Sequence, residues 1–342
     1  MTVSNTPPGR VAVIQPLPGI GDMIWHLPHL KALAQSLPEG KITLITKPRS
    51  AADRLLAAEP AIEAVLWVDR NPAGGKGAHG GIAGLWRFIA RLRAERIRRV
   101  IVLHHSWRYA FAAFAAGVPE RYGYGVGKQR LWLNRPPYLS AEEARAHPID
   151  QATAWIRAHG IALAEPEPEL VIGPVVGARI AARFADRKRP WLAMGLGSSE
   201  AFKQWGAERF AALAHALLGQ GWPSLFLIGG PAEAELGAKV TTALGDQAAS
   251  VIPVFDLGID ETAALIAACK LYVGNDTGVL NIAAAVGVPA IGLFGGTAPL
   301  THSRRIHALT PPDGRPSPAD GMSRITVAAV MEAIGRLHPA PP

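Results

Sequence analysis

One cysteine, Cys269, stands in 342 residues. That excludes a disulfide framework and any cysteine-based zinc site. Its setting, Ile-Ala-Ala-Cys-Lys, reads as a small buried residue rather than a reactive thiol. Charge is sparse, at 18% of residues against 49% apolar, which excludes disorder as the dominant state. The opening MTVSNTPPGR is polar and lacks the apolar stretch that export requires, so a cytoplasmic location is expected. The longest apolar run, 279–294, is broken by Asn281 and Pro289 and reads as a buried helix, a turn and a buried strand, not a membrane span. Neither G-x-x-x-x-G-K-[ST] nor G-x-S-x-G occurs. His26 and His29 are spaced i, i+3 but lack a third ligand, so no metal site is expected.

The length suits two domains, expected at 1–170 and 171–342. Short apolar runs alternate with longer amphipathic ones, the pattern of parallel α/β sheets. Strands are predicted at 11–17, 41–46, 64–68 and 100–104, then at 191–194, 224–228, 271–273 and 290–294. Helices are predicted at 25–36, 51–58, 85–96, 109–116, 151–159, 207–218, 232–244, 261–268, 279–286 and 327–337. The glycine-rich stretch 71–81 reads as a mobile loop, 118–150 has weak periodicity, and 164–174, with three prolines and three glutamates, reads as the interdomain linker. Two such domains imply a ligand cleft at the carboxyl ends of both sheets.

The net charge of +8 is unevenly placed. Eleven Lys and Arg residues lie between Arg87 and Arg135, opposed only by Glu95 and Glu120. Such a field attracts a phosphorylated glycan or an anionic lipid, or is simply a solvated basic face. No nucleic-acid-reading motif accompanies it.

Three segments carry chemistry. In PGIGDMIWHLP (18–28), Gly19 and Gly21 let the chain turn after a strand and Asp22 stands near a helix start, either as an N-cap or as a catalytic carboxylate. Because Ile24 occupies the third glycine position, this is only a weak match to a dinucleotide fingerprint. In MGLGSSEAFKQWGAERF (194–210), Ser198, Ser199 and Lys203 form either a phosphate-binding loop or a polar turn. In YVGNDTGVLNIAAAVGVPAIGLFGGTAP (272–299), Asp276, Thr277 and Gly278 precede a small-residue helix whose first amides suit an anion, and Gly295-Gly296-Thr297 makes a second turn. Together these favour diphosphate binding.

In order and separation the three motifs resemble glycosyltransferase family 9, the ADP-heptose:lipopolysaccharide heptosyltransferases, over nearly the whole chain. The family's opening iGDxxxxxP is met by Gly21, Asp22 and Pro28; its hydroxyl pair and K-x-W by Ser198, Ser199, Lys203 and Trp205. Its late motif is met by Asn275 through Gly278, Ala283 through Ala285, Gly287, Pro289, Leu293 through Thr297, and Pro299. Asn281 replaces the family's histidine and Ala298 its acidic residue.

The resemblance implies a GT-B fold: two Rossmann-like α/β/α domains with parallel sheets facing a central cleft, the N-terminal one binding the acceptor and the C-terminal one the nucleotide sugar. It implies inverting, metal-independent transfer of a heptose from an ADP-sugar to a lipopolysaccharide-core or related glycan, with no cofactor. Asp22 would be the base. Lys203, Ser198, Ser199 and the amides at Thr277 and Gly278 would stabilise the ADP leaving group, and no DxD metal motif occurs. Gly21, Asp276, Asn281, Gly295, Gly296 and Thr297 complete the expected substrate contacts. Glu235 is expected at the nucleoside, with Glu233 as its competitor. The acceptor would be a phosphorylated glycan or glycolipid, met in peripheral contact with the inner membrane surface. A GT-B epimerase or hydrolase, or an inactive sugar-nucleotide-binding relative, are the alternatives.

Overall fold

A computed structural model of the chain describes residues 9–70, 77–163, 167–198, 200–299 and 302–338. The chain divides into two units, Met1–Pro166 and Glu167–Pro342. The first carries β1 (Arg10–Ile14), α1 (Ile20–Gln35), β2 (Ile42–Thr46), α2 (Ala52–Leu55), β3 (Ile62–Trp67), α3 (Gly81–Ala94), β4 (Ile97–Val102), α4 (Trp107–Ala115), β5 (Glu120–Gly123) and α5 (Pro148–Ala158). Its strands pair in parallel in the order β3-β2-β1-β4-β5.

The second unit carries α6 (Pro174–Arg183), β6 (Trp191–Gly195), α7 (Ala207–Gly219), β7 (Ser224–Ile228), α8 (Ala234–Ala243), β8 (Val251–Val254) and α9 (Ile259–Ala267). It continues with β9 (Leu271–Asn275), α10 (Gly278–Ala285), β10 (Ala290–Leu293), β11 (Ile306–Leu309), α11 (Gly321–Arg324) and α12 (Val327–Leu337). The order is β11-β10-β9-β6-β7-β8, again parallel.

The central strands β2, β6, β7 and β9 are buried at all five positions, which is why their sequences are mostly apolar rather than alternating. On one face of the second sheet Leu192, Met194, Leu225 and Leu227 meet Phe210, Leu213 and Leu217 of α7 and Val330 and Ile334 of α12. On the first sheet Ala12, Ile14, Val100 and Val102 meet Phe88 and Leu92 of α3 and Tyr109 of α4. Each large side chain so buried contributes about 1.5–3 kcal/mol.

Several expected boundaries shift, each for a local reason. β1 ends at Ile14 rather than at 17, because Pro16 and Pro18 offer no N–H to a neighbouring strand. Helix α1 starts at Ile20 rather than 25. Strands β5, β8 and β11 were not anticipated, and all three are edge strands. Pro253 within β8 is tolerated for that reason. Pro174, taken as the end of the linker, is instead the first residue of α6, where its fixed φ suits the helix. Of the predicted linker, 164–166 lies outside the described residues. Glu167 already belongs to the second unit: its carboxylate accepts from the Ser303 hydroxyl and from the Arg304 amide, and the Leu170 amide donates to Ala285.

Of the stretch read as a mobile loop, 71–76 lies outside the described residues. The rest is fixed: the Asp69 carboxylate and carbonyl accept from the Ala78 and His79 amides, and α3 begins at Gly81. Cys269 is buried and burial pushes its thiol up to about 12. Among the described residues no helix is long and apolar enough to cross a membrane.

Candidate functional site

In each sheet the chain reverses its direction of strand addition once, between β1 and β4 in the first and between β6 and β9 in the second. Ligands of open parallel sheets bind beyond the carboxyl ends of the strands at such a point. The residues singled out from the sequence follow β1, β6, β7, β9 and β10.

After β1, Gly19 is the extended N-cap of α1 and Asp22 is the third helical residue. The N-cap reading of Asp22 is therefore off by one turn: its Oδ2 reaches back to accept the Gly19 N–H at 3.0 Å. This fixes the carboxylate at the sheet's edge, while Oδ1 has no partner among the described residues. Gly21 lies beside it in the first turn, where amides lack intrahelical partners. Further along α1, the buried His26 donates from Nδ1 to the Asp22 carbonyl at 2.7 Å, and burial lowers its pKa.

After β6 the loop to α7 is anchored from within. Asn275, wholly buried at the end of β9, donates from Nδ2 to the Leu196 carbonyl at 2.8 Å and the Gly197 carbonyl at 3.3 Å, and its Oδ1 accepts from the Trp205 amide at 3.2 Å. Trp205 is buried with its indole N–H on the Ile325 carbonyl at 2.9 Å. Gly195 is required beneath this loop, since a Cβ there would overlap the Tyr272 hydroxyl. The anchored loop holds Lys203 with its ammonium 2.9 Å from Glu200 Oε2 and 3.1 Å from Asp276 Oδ2. The Thr297 hydroxyl, from the turn after β10, donates to the same Asp276 oxygen at 2.9 Å. Burial draws the Lys203 pKa down, but hydrogen bonds and charges from Glu200 and Asp276 outweigh it, and the net displacement is upward. Lys203, Asp276 and Thr297, from three separate loops, thus form one cluster. Thr277 stands at the N-cap position of α10 without a side-chain cap hydrogen bond, Gly278 is the first helical residue and Asn281 lies half-buried one turn on.

Other expected residues play different parts. The Ser198 hydroxyl donates to the Glu200 carbonyl at 3.0 Å and accepts from the Glu200 amide at 3.2 Å, so it shapes the turn that carries Lys203. Ser199 lies outside the described residues. Gly295 is a close-approach site rather than a flexible turn: its N–H meets Met322 Sδ, its carbonyl accepts from Ser317, and a Cβ would strike the backbone at Gly321–Met322. A Cβ at Gly296 would lie 2.6 Å from the Phe202 ring, next to Lys203.

Glu235 does not join the site. It is exposed on α8 and pairs with Lys239 one turn on, at 2.8 Å. Glu233 occupies the edge instead: it accepts the Gly230 N–H at 2.7 Å, and a Cβ on Gly197 would lie 3.3 Å from its carboxyl carbon. The spacing Gly230-Pro231-Ala232-Glu233 was the available signal, an acidic residue three after a turn glycine with proline between. Asn275 and Glu200 were the residues sequence reasoning missed. Asn275 was seen only as part of a motif, and Glu200 is an unremarked loop acid whose role depends on the fold of the turn.

A family model for glycosyltransferase family 9 (heptosyltransferase) matches residues 85–309, a span that takes in Lys203, Asp276 and Thr297 and stops short of Asp22. The chain is 29% identical over 234 residues to lipopolysaccharide heptosyltransferase 2 of Escherichia coli strain K12, covering 64% of this chain and 67% of that protein. The solved structure of E. coli ADP-heptose lipopolysaccharide heptosyltransferase II aligns with a TM-score of 0.75 at 23% identity, covering 96% of this chain and 98% of that one. E. coli heptosyltransferase WaaC with ADP-2-deoxy-2-fluoro heptose aligns at 0.72 and 19% identity, covering 96% and 99%. At these identities the structures establish the fold, two parallel-sheet α/β units of the GT-B kind. With the family model covering most of its length, the chain belongs to glycosyltransferase family 9.

Proposed function

We propose that the protein is an inverting, metal-independent glycosyltransferase that moves heptose from ADP-heptose to a lipopolysaccharide-core acceptor on the cytoplasmic side of the inner membrane. The observation that carries this reading is the cluster in which Lys203, Asp276 and Thr297 converge beyond β6, β9 and β10. The relatives named as heptosyltransferases support the donor and acceptor class, and the WaaC structure holds an ADP-heptose analogue.

In the proposed reaction Asp22 takes the proton from an acceptor hydroxyl as its oxygen attacks the anomeric carbon. The bond from that carbon to the diphosphate breaks on the opposite face, and ADP departs with the electron pair. Charge gathers on the sugar ring as an oxocarbenium ion and on the diphosphate as an anion. The Lys203 ammonium and the first amides of α10, at Gly278 and its neighbours, would receive the diphosphate. An ammonium and a helix start supply counter-charge that a metal would otherwise bring. Asn281 keeps a hydrogen-bond donor where the family has histidine.

The basic face fits a phosphorylated acceptor. Several of its arginines are hydrogen-bonded without losing charge, such as Arg121 on the Val118 and Trp132 carbonyls and Arg87 on the Ala78 carbonyl. Trp107, Phe114 and Leu131 are exposed within this basic stretch of sequence and Ile82 and Trp86 just before it, which suits contact with an anionic bilayer surface.

Asp22→Asn tests the reading. It keeps the side chain's size and removes the base, so turnover should fall by about 10²–10⁴-fold with ADP-heptose affinity preserved. Full turnover in that variant would refute the mechanism. Free heptose released equally with and without acceptor would mark a hydrolase instead.

A further inference from the structure

Beyond Asp22, the reversal point of the first sheet presents a second group that the proposed reaction leaves unused. β4 continues past its last strand residue through Leu103, whose amide still donates to the Ile14 carbonyl of β1 at 3.0 Å. The next residue, His104, is thus the first to leave the sheet on the strand beside the one that leads to Asp22.

His104 is fixed from two sides. The Ser106 amide donates to its Nδ1 at 2.9 Å, and Gln129 Nε2 donates to its carbonyl at 2.6 Å. The Tyr109 ring stands edge-on to the imidazole, 5.7 Å between centroids. With Nδ1 accepting, the ring proton resides on Nε2. Burial, reinforced by the neighbouring His105, Lys47 and Arg70, holds the pKa down at about 4, so the ring is neutral through the physiological range. Its Nε2–H has no hydrogen-bond partner among the described residues. His105 contrasts with it: its Nε2 is 2.7 Å from Gln151 Oε1 and its ring packs on Tyr124, a structural setting.

Lys47 leaves the sheet after β2 and Arg70 after β3, and Arg70 is hydrogen-bonded to the Tyr109 hydroxyl. A neutral N–H donor flanked by two cations suits the oxygens of an anionic sugar. Neutrality matters because a cationic donor on the bound acceptor would make the attacking hydroxyl's neighbourhood more positive and weaken a carboxylate base that meets it.

We infer that His104 is an acceptor-positioning residue, whose Nε2–H donates to an oxygen of the acceptor sugar and orients the attacking hydroxyl toward Asp22. This rests on the transferase reading above, and the acceptor class it names is an anionic saccharide.

Two substitutions separate this role from mere support of the turn into α4. His104→Asn keeps an acceptor for the Ser106 amide and removes the donor at the ε position; His104→Gln does the reverse. Steady-state kinetics would vary ADP-heptose and a series of deacylated lipopolysaccharide inner-core fragments, with thermal denaturation to verify folding. His104→Asn should lower kcat/KM for the acceptor about tenfold, the worth of one hydrogen bond, and leave the KM for ADP-heptose unchanged. His104→Gln should recover to within about threefold of the parent. The ratio of parent to His104→Asn should stay constant between about pH 6 and 8, as a neutral donor requires.

Parent-like acceptor kinetics in His104→Asn overturn the inference, as does a pattern in which Asn is active and Gln is not, since only the Ser106 contact then matters. Those results would leave the sensitivity to Asp22→Asn intact. If the parent transfers nothing to any fragment, the transferase reading itself fails, and the inference with it.

Discussion

Glu200→Gln should tighten the binding of ADP. The Lys203 ammonium sits between two carboxylates, Glu200 at 2.9 Å and Asp276 at 3.1 Å. One cation against two anions is a poor receptor for a diphosphate, so one carboxylate must yield. Asp276 is the better held, since it also accepts from Thr297 and is 20% exposed against 48% for Glu200. Glu200 is therefore the group a diphosphate displaces. Breaking so exposed an ion pair costs at most about 1 kcal/mol. A carboxylate left about 6 Å from a diphosphate charge, at an effective dielectric constant of about 40, adds about 1.4 kcal/mol of repulsion. Much of the second term vanishes once the side chain swings into water.

The expected gain on neutralising Glu200 is thus about 1–2 kcal/mol, or about 5- to 30-fold in Kd. Isothermal titration of ADP into the parent and the variant at low salt measures it. The advantage should shrink near 0.5 M salt, where the screening length drops to about 4 Å. Lys203→Met should weaken ADP binding in the same assay. Unchanged or weaker binding by Glu200→Gln would mean that the diphosphate does not meet Lys203, and the assignment of the C-terminal unit's site would fall with it.

The remaining expectations concern residues around that site and elsewhere. Glu233→Gln should change ADP-heptose affinity measured by titration, whereas Glu235→Gln should leave it within error, because Glu235 meets only Lys239. Asn275→Ala strands two carbonyls and an amide in a buried place, so it should cost about 2–3 kcal/mol in denaturant unfolding and weaken ADP binding through loss of the Lys203 loop. The unfolded chain protonates His104 near pH 6.5, while the folded protein refuses the proton until about 4. Stability should therefore fall as pH drops across that interval, and His104→Asn should lose less Tm than the parent between about pH 7 and 5. The double substitution Phe114→Ser, Leu131→Ser should reduce co-sedimentation with vesicles rich in anionic phospholipid, with both side chains being exposed now.

What could be read from the sequence follows a physical division. Central strands announce themselves because both of their faces are covered, and runs such as Trp-Leu-Ala-Met-Gly in β6 have no polar member to confuse the pattern. Edge strands do not: Glu-Arg-Tyr-Gly in β5 and Ile-His-Ala-Leu in β11 meet solvent along part of their length, and their pairing is decided by the sheet beside them. The glycine turns and charged residues after β1, β6 and β9 were legible for the same reason as the central strands, since a buried run must end abruptly at a loop. Which acidic residue faces the edge was not legible. Glu233 and Glu235 differ by two positions, and the phase is set by the turn at Gly230, whose N–H captures the first of them. The same capture recurs where Gly19 donates to Asp22 and Gly258 to Glu261, so a glycine three residues before an acid is a structural device here whether or not chemistry follows.

That recurrence bears on why Asp22 can serve both roles. A carboxylate that caps a helix start through one oxygen is tethered there, and the other oxygen of Asp22 has no partner among the described residues. Glu261 caps α9 in the same way, but its other oxygen accepts from Arg179 at 3.0 Å and it follows the edge strand β8 rather than a central one. Capping therefore supplies orientation, and position at the carboxyl end of a central strand supplies opportunity. Lys203 obeys the same logic with the sign reversed. Its charge is costly to bury, and Glu200 and Asp276 meet that cost. A diphosphate entering there replaces one anion by another, so binding exchanges partners around a cation already in place instead of creating a new buried charge.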